Sequence, residues 1–182
     1  TFRVTPAASD VTATPAQSQL ISLSPKPTLS WQGAAGAVSY DVYLFNGTRA
    51  VEQTGLTATS WQTPDLGGEV WRWWVRSIDE GGNAGSWSDA ATIDTSGRAV
   101  GRSPSATTGT TPVFNWTEVL AADRYILQID NLTTDTSQVI REDFLVSASY
   151  TPAGPLAAGQ YRFWVKALSD TNPNAGFWSF GV

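Results

Sequence analysis

Short runs of alternating apolar and polar residues, broken by turn residues about every 8–12 positions, follow one another along this chain. In "TLSW" (28–31) and "VFNW" (113–116), Leu29 and Trp31, and Phe114 and Trp116, fall on one face of an extended chain. "YDVYLF" (40–45) divides into Tyr40, Val42 and Leu44 against Asp41, Tyr43 and Phe45. "YILQID" (125–130) divides in the same way into Tyr125, Leu127 and Ile129 against Ile126, Gln128 and Asp130. A period of two belongs to β-strands, whose successive side chains point to opposite faces. Helical periodicity nowhere exceeds two turns. The pattern predicts an all-β chain of sandwich type. Asn46-Gly47 predicts a type I′ hairpin turn with 48–53 as the return strand.

The densest aromatic stretch, "EVWRWWVRS" (69–77), resolves under the same rule. Trp71, Trp73 and Val75 share one face, and Arg72, Trp74 and Arg76 the other. The stretch "YRFWVKA" (161–167) repeats the scheme, with Tyr161, Phe163, Val165 and Ala167 inward and Arg162, Trp164 and Lys166 outward. Both are expected to be central strands. The expected core therefore contains Trp31, Tyr40, Trp71 and Trp73 in the first half, and Trp116, Tyr125, Tyr161 and Phe163 in the second. Each outer row sets cations beside an indole, and Trp87 and Trp178 on the next strand would extend it into a cation–π ladder.

These matches are parts of an internal repeat. "PTLSW" (27–31) and Tyr40 recur as "PVFNW" (112–116) and Tyr125 at an offset of 85. "LGGEVWRWWVRSI" (66–78) recurs as "LAAGQYRFWVKAL" (156–168) at 90, and "NAGSWS" (83–88) as "NAGFWS" (174–179) at 91. The growing offset puts about five extra residues in the second copy around 131–149. The expected domains are 1–97 and 98–182, with 1–5 as the tail of a preceding repeat and 96–104 as the linker.

Composition narrows the function. With 16 acidic and 11 basic residues the formal net charge is −5, and the bases are scattered. No basic block could neutralise a run of phosphates, so neither nucleic acid nor an acidic membrane surface is an expected partner. No apolar run approaches the roughly 20 residues of a membrane span, so membrane insertion of this segment is not expected. The absence of Cys and His removes disulfides, thiol chemistry, and the commonest general base and metal ligand. No Gly-x-Ser-x-Gly or phosphate-binding loop is present, and the carboxylates fall on strand exteriors and loops. No catalytic residue and no cofactor is expected. A chain that starts at Thr1 and lacks Met is expected to be a fragment of a longer protein.

The second-strand Trp31 and Trp116, the third-strand Tyr40 and Tyr125, the Leu-x4-aromatic entry to the sixth strand, and a last strand opened by Trp-Ser together resemble fibronectin type III domains. The resemblance covers nearly the whole chain. Leu156 and Tyr161 resemble the tyrosine corner of these sandwiches, whereas Trp71 at the matching position has no hydroxyl. The Trp-Ser beside an Arg-bearing strand is similar to the Trp–Arg ladder of cytokine receptors, with a single rather than doubled Trp-Ser. The overall pattern resembles tandem repeats of large bacterial cell-surface proteins. It implies an extracellular or cell-surface spacer, stalk or adhesin module, whose partners would be neighbouring repeats, surface glycans or other cell-surface proteins. An accessory module of a secreted glycoside hydrolase fits the same resemblance.

Two candidate sites follow. Tyr43, Trp74 and Trp87, or Trp164 and Trp178, could form an aromatic platform for a sugar or a receptor. The same residues, flanked by cations in both copies, fit better as the Arg72–Trp74–Arg76–Trp87 and Arg162–Trp164–Lys166–Trp178 ladders that stiffen a sheet. Asp79, Glu80, Asn83 and Asp89 supply oxygen donors of the kind calcium takes, or simply solvate a hairpin loop. Their spacing fits no EF-hand.

Overall fold

A computed structural model describes residues 12–104, 109–171 and 176–182, and every regular element among them is a β-strand. The expected tail at 1–5 and parts of the loops at 104–108 and 169–176 lie outside the described residues. The chain divides into two compact units: the chain up to Leu20 with Pro25–Asp94, and Ile21–Ser24 with Thr95–Val182. The observed boundary is Asp94/Thr95, where position 97 was expected, and Ile21–Ser24 belongs with the second unit. Burial explains the second difference. Ile21 is 1% exposed within the second unit's core, and its carbonyl accepts the Leu120 N–H at 2.7 Å.

The first strands are β1 (Thr14–Pro15), β2 (Gln19–Ile21), β3 (Thr28–Gln32), β4 (Ala37–Phe45), β5 (Ala50–Leu56), β6 (Ser60–Gln62), β7 (Val70–Asp79) and β8 (Ala91–Asp94). They form two sheets, in the order β1-β3-β6 and β2-β8-β7-β4-β5. The later strands are β9 (Gly101–Ser103), β10 (Phe114–Trp116), β11 (Arg124–Asn131), β12 (Thr136–Leu145), β13 (Ser149–Tyr150) and β14 (Tyr161–Leu168). They form β9-β10-β13 and β12-β11-β14, and the stretch 178–182 bonds to the free side of β14. Each unit is thus a small sheet facing a larger one, and the chain is two tandem fibronectin-III-like sandwiches. The extra residues of the second copy lie in the β11–β12 hairpin, whose second strand is 10 residues long against 7 for β5.

The inward rows form two separate cores. Trp31, Tyr40, Val42, Leu44, Trp71, Trp73 and Val75 pack with Leu29 and Ile93 in one core; Trp116, Tyr125, Leu127, Ile129, Phe163 and Val165 pack with Phe114 in the other. Tyr161 departs from the expectation by being only half-buried. In the first unit Ile93 pairs with Trp71 and is fully buried. Tyr161 stands at the first position of β14, where its hydroxyl reaches outward to the exposed corner rather than into the core.

Both corners form, by different chemistry. The Tyr161 hydroxyl donates to the Ala157 carbonyl at 3.0 Å and accepts from Asn131 Nδ2 at 3.2 Å. Trp71 lacks a hydroxyl, but its indole N–H donates to the buried Leu66 carbonyl at 3.1 Å. Trp71→Phe keeps an aromatic ring and removes that donor. It is expected to cost about 1–3 kcal/mol, read as a lower urea midpoint.

The Asn46-Gly47 turn also differs from the expected type I′. Phe45 pairs with Ala50, so the loop is 46–49 and the return strand starts at Ala50. Among the described residues in this loop only Gly47 has positive φ, at 99°. The Asn46 side chain closes the loop instead, its Oδ1 accepting the N–H groups of Thr48 at 3.0 Å and Arg49 at 2.7 Å.

Candidate functional site

The outer face of the larger sheet in the first unit gathers the residues singled out above. Antiparallel pairing of β4 with β7 places Tyr43 opposite Trp74, Asp41 opposite Arg76 and Phe45 opposite Arg72. The Tyr43 ring lies 5.8 Å from Trp74 and 6.3 Å from Trp87, tilted by 37° and 57°. Arg72 sits over Trp74 at 5.4 Å, and Arg76 over Trp87 at 4.6 Å. The order is Arg72–Trp74–Tyr43–Trp87–Arg76, a continuous ladder in which Tyr43 joins two cation–π pairs. The three rings line a shallow depression of about 270 Å³. Trp87 is 38% exposed, and Tyr43 and Trp74 are half-buried.

Asp41 organises one end of this row, a role that strand periodicity alone did not reveal. Its Oδ2 accepts Arg76 Nε at 2.9 Å and lies 2.8 Å from Nη2, and its Oδ1 accepts the Gly55 N–H at 3.1 Å. It is 5% exposed although it belongs to the outward face, because the guanidinium and the Gly55 bulge close over it. Arg49, stacked 4.7 Å over Trp71, was also not anticipated.

The second unit keeps the chemistry only in part. Arg162 lies over Trp164 at 6.0 Å, while Lys166 and Trp178 meet as backbone bridge partners. The register explains the difference. Trp164 faces Gln128 where Trp74 faces Tyr43, and Lys166 faces Ile126 where Arg76 faces Asp41. Neither the bridging ring nor the anchoring carboxylate is present.

The Trp-Ser motif is explained in both units by its serine. Ser88 Oγ accepts the Val75 N–H at 3.1 Å, and Ser179 Oγ accepts the Val165 N–H at 3.0 Å. The preceding glycine is needed too: a Cβ at Gly176, where φ is 87°, would stand 2.2 Å from the Ala167 carbonyl oxygen. Two tyrosines play matching parts. Tyr40 and Tyr125 accept the N–H groups of Ala34 at 3.2 Å and Val119 at 2.9 Å through their hydroxyls. The repeated Tyr thus ties down the loop before its strand as well as filling the core.

The calcium candidates do not converge. Asn83 turns its donors to Asp79, with its backbone N–H at 2.8 Å from Oδ1 and its Nδ2 at 3.2 and 3.1 Å from the two carboxylate oxygens. Glu80 and Asp89 are exposed. Among the described residues no three acidic groups form a metal-binding cluster.

These hydrogen bonds do have a pH consequence. The side-chain amide of Asn83, with its backbone N–H, holds the Asp79 carboxyl below its ordinary value of 3.8. The Asp170 backbone N–H, then the Ser169 hydroxyl, do the same for Asp123. A carboxyl whose pKa is lower in the folded state stabilises the fold above the unfolded value, near 3.9, and loses that contribution as pH falls through the folded value. The double variant Asp79→Asn, Asp123→Asn is expected to show a flatter decline of melting temperature between about pH 4 and 2. An unchanged acid slope would show that these bonds do not matter in solution.

No protein-family model matches the chain, and no curated protein does. Among solved structures, it is similar to a two-domain fibronectin type III segment from chicken tenascin, at 16% identity over 85% of this chain and 87% of that one, with a TM-score of 0.36. It is also similar to the FN1–FN3 domains of chicken CNTN1, at 12% identity over 92% of this chain and 64% of that one, with a TM-score of 0.39.

Proposed function

We propose that this segment is a non-catalytic structural module of an extracellular or cell-surface repeat protein, acting as a spacer or adhesive stalk beside other repeats of its own chain. One observation carries the reading. Both units devote the same repeat positions to holding strands and loops together: Tyr40 and Tyr125 on a loop N–H, Ser88 and Ser179 on a strand N–H, and Trp71 and Tyr161 at the corner. Such repetition is what a series of sandwiches under tension requires.

Pulling the two ends of the chain in a force spectrometer tests this. Two discrete unfolding events, each releasing about 300 Å of chain, are expected for units of this length. Gradual extension without discrete events would sink the mechanical reading.

A second reading, adhesion to glycans, is favoured by the partly exposed Tyr43–Trp74–Trp87 depression. On it the first unit would be both a spacer and a contact point.

A further inference from the structure

We propose that the Tyr43–Trp74–Trp87 depression binds one acidic pyranose of a uronate-containing polysaccharide, with the sugar ring on the aromatic rings and its carboxylate on Arg72. This rests on the glycan reading of the first unit and names the class of sugar.

Size and lining come first. A depression of about 270 Å³ lies below the range of drug-sized pockets and suits a single sugar ring. Its walls are three aromatic side chains, and the ring surface left between the two stacked guanidinium groups is apolar and suits the C–H face of a pyranose.

Charge then decides between ligands. An aromatic cluster of this kind can also hold a quaternary ammonium group through cation–π attraction. Here the faces of two rings are already occupied by a guanidinium, Arg72 on Trp74 and Arg76 on Trp87, so a further cation would have to displace one of them. The two arginines are not equivalent. Arg76 is neutralised by the nearly buried Asp41. Arg72 is exposed, and among the described residues its contact is with the Trp74 ring and no carboxylate pairs with it. An unpaired guanidinium stacked on one wall residue of an apolar depression is a fork for a carboxylate. Glu52, exposed and opposite Tyr43 on β5, is a neighbouring acceptor for hydroxyl hydrogens.

The second unit is an internal control. It retains Arg162 and Trp164 but presents Gln128 where Tyr43 stands, so it lacks the central ring.

The test is titration of the whole chain, followed by tryptophan fluorescence, with oligogalacturonate and with a neutral galacto-oligosaccharide of the same length. The acidic sugar is expected to bind saturably and about tenfold more tightly. Arg72→Gln should remove that preference while both units still unfold cooperatively. Tyr43→Gln, which copies the second unit, should abolish binding of both sugars. Equal binding of both sugars, unaffected by Arg72→Gln, overturns the proposal and leaves the glycan reading standing. Binding of neither sugar overturns both, as does a saturable response to tetramethylammonium or a proline-rich peptide alone.

Discussion

Trp31→Ala is expected to destabilise the first unit by about 3–5 kcal/mol, and Trp116→Ala the second by a similar amount. Each indole is 4% exposed and meets a tyrosine edge-on, Trp31 with Tyr40 at 5.6 Å and Trp116 with Tyr125 at 5.5 Å. Alanine would leave a cavity between two sheets that cannot close over it without bending strands. Neither indole N–H has a hydrogen-bond partner. All of the stabilisation is therefore packing, offset by a buried donor left unpaired. Phenylalanine at either position keeps most of the packing and removes the unpaired donor, so Trp31→Phe should cost well under half as much as Trp31→Ala. Urea denaturation of the three variants beside the parent chain measures both points. A loss below about 1 kcal/mol for alanine would mean that these residues do not anchor the cores.

The next largest effect is expected at Arg76. Arg76→Met preserves the hydrophobic stem but leaves the Asp41 carboxylate without its cation, at 7% side-chain exposure. Removing one partner of a buried pair is far costlier than the pair is worth, because the remaining charge cannot reach water. A destabilisation of about 3 kcal/mol at neutral pH is expected. The double variant Arg76→Met, Asp41→Leu should recover most of it, since two apolar groups then replace the pair. The arginine side chain is 30% exposed and can rehydrate, so Asp41→Asn should be milder than Arg76→Met. If the two single variants cost the same, the pair is not held by the burial of Asp41. Loss of Arg76 also uncovers Trp87, and the change in its fluorescence gives a local readout alongside global stability.

The contrast between Asp41 and its outward neighbours shows where local pattern stops being informative. Alternation assigns Asp41, Tyr43 and Phe45 to one solvent-facing row, and the backbone agrees. Yet Asp41 is nearly buried and Phe45 is 38% exposed. What covers Asp41 is Arg76, 35 residues away, and no local rule fixes which residue will lie opposite. The same holds for Trp71. Its inward direction follows from the period of two, but its use of an indole N–H as a corner bond depends on the Leu66 carbonyl reaching it. Residue type alone makes Asn83 an oxygen donor. In the fold its nitrogens face Asp79, because the hairpin turns back on itself within four residues.

By itself, then, the sequence determined what repeats locally. It set the strand periods, the two copies with their drifting offsets, the inward rows of both cores and the outward rows of aromatic and basic side chains. Those follow from single strands, in which each residue's face depends only on its neighbours. Tertiary structure alone decided what depends on register between strands. Tyr43 pairs with Trp74 and Gln128 with Trp164, so one unit has a five-membered ladder around a depression, while at the matching positions the other has only Arg162 on Trp164. Tertiary structure also placed Ile21–Ser24 in the second unit, because its buried site for Ile21 is built by residues nearly a hundred positions downstream.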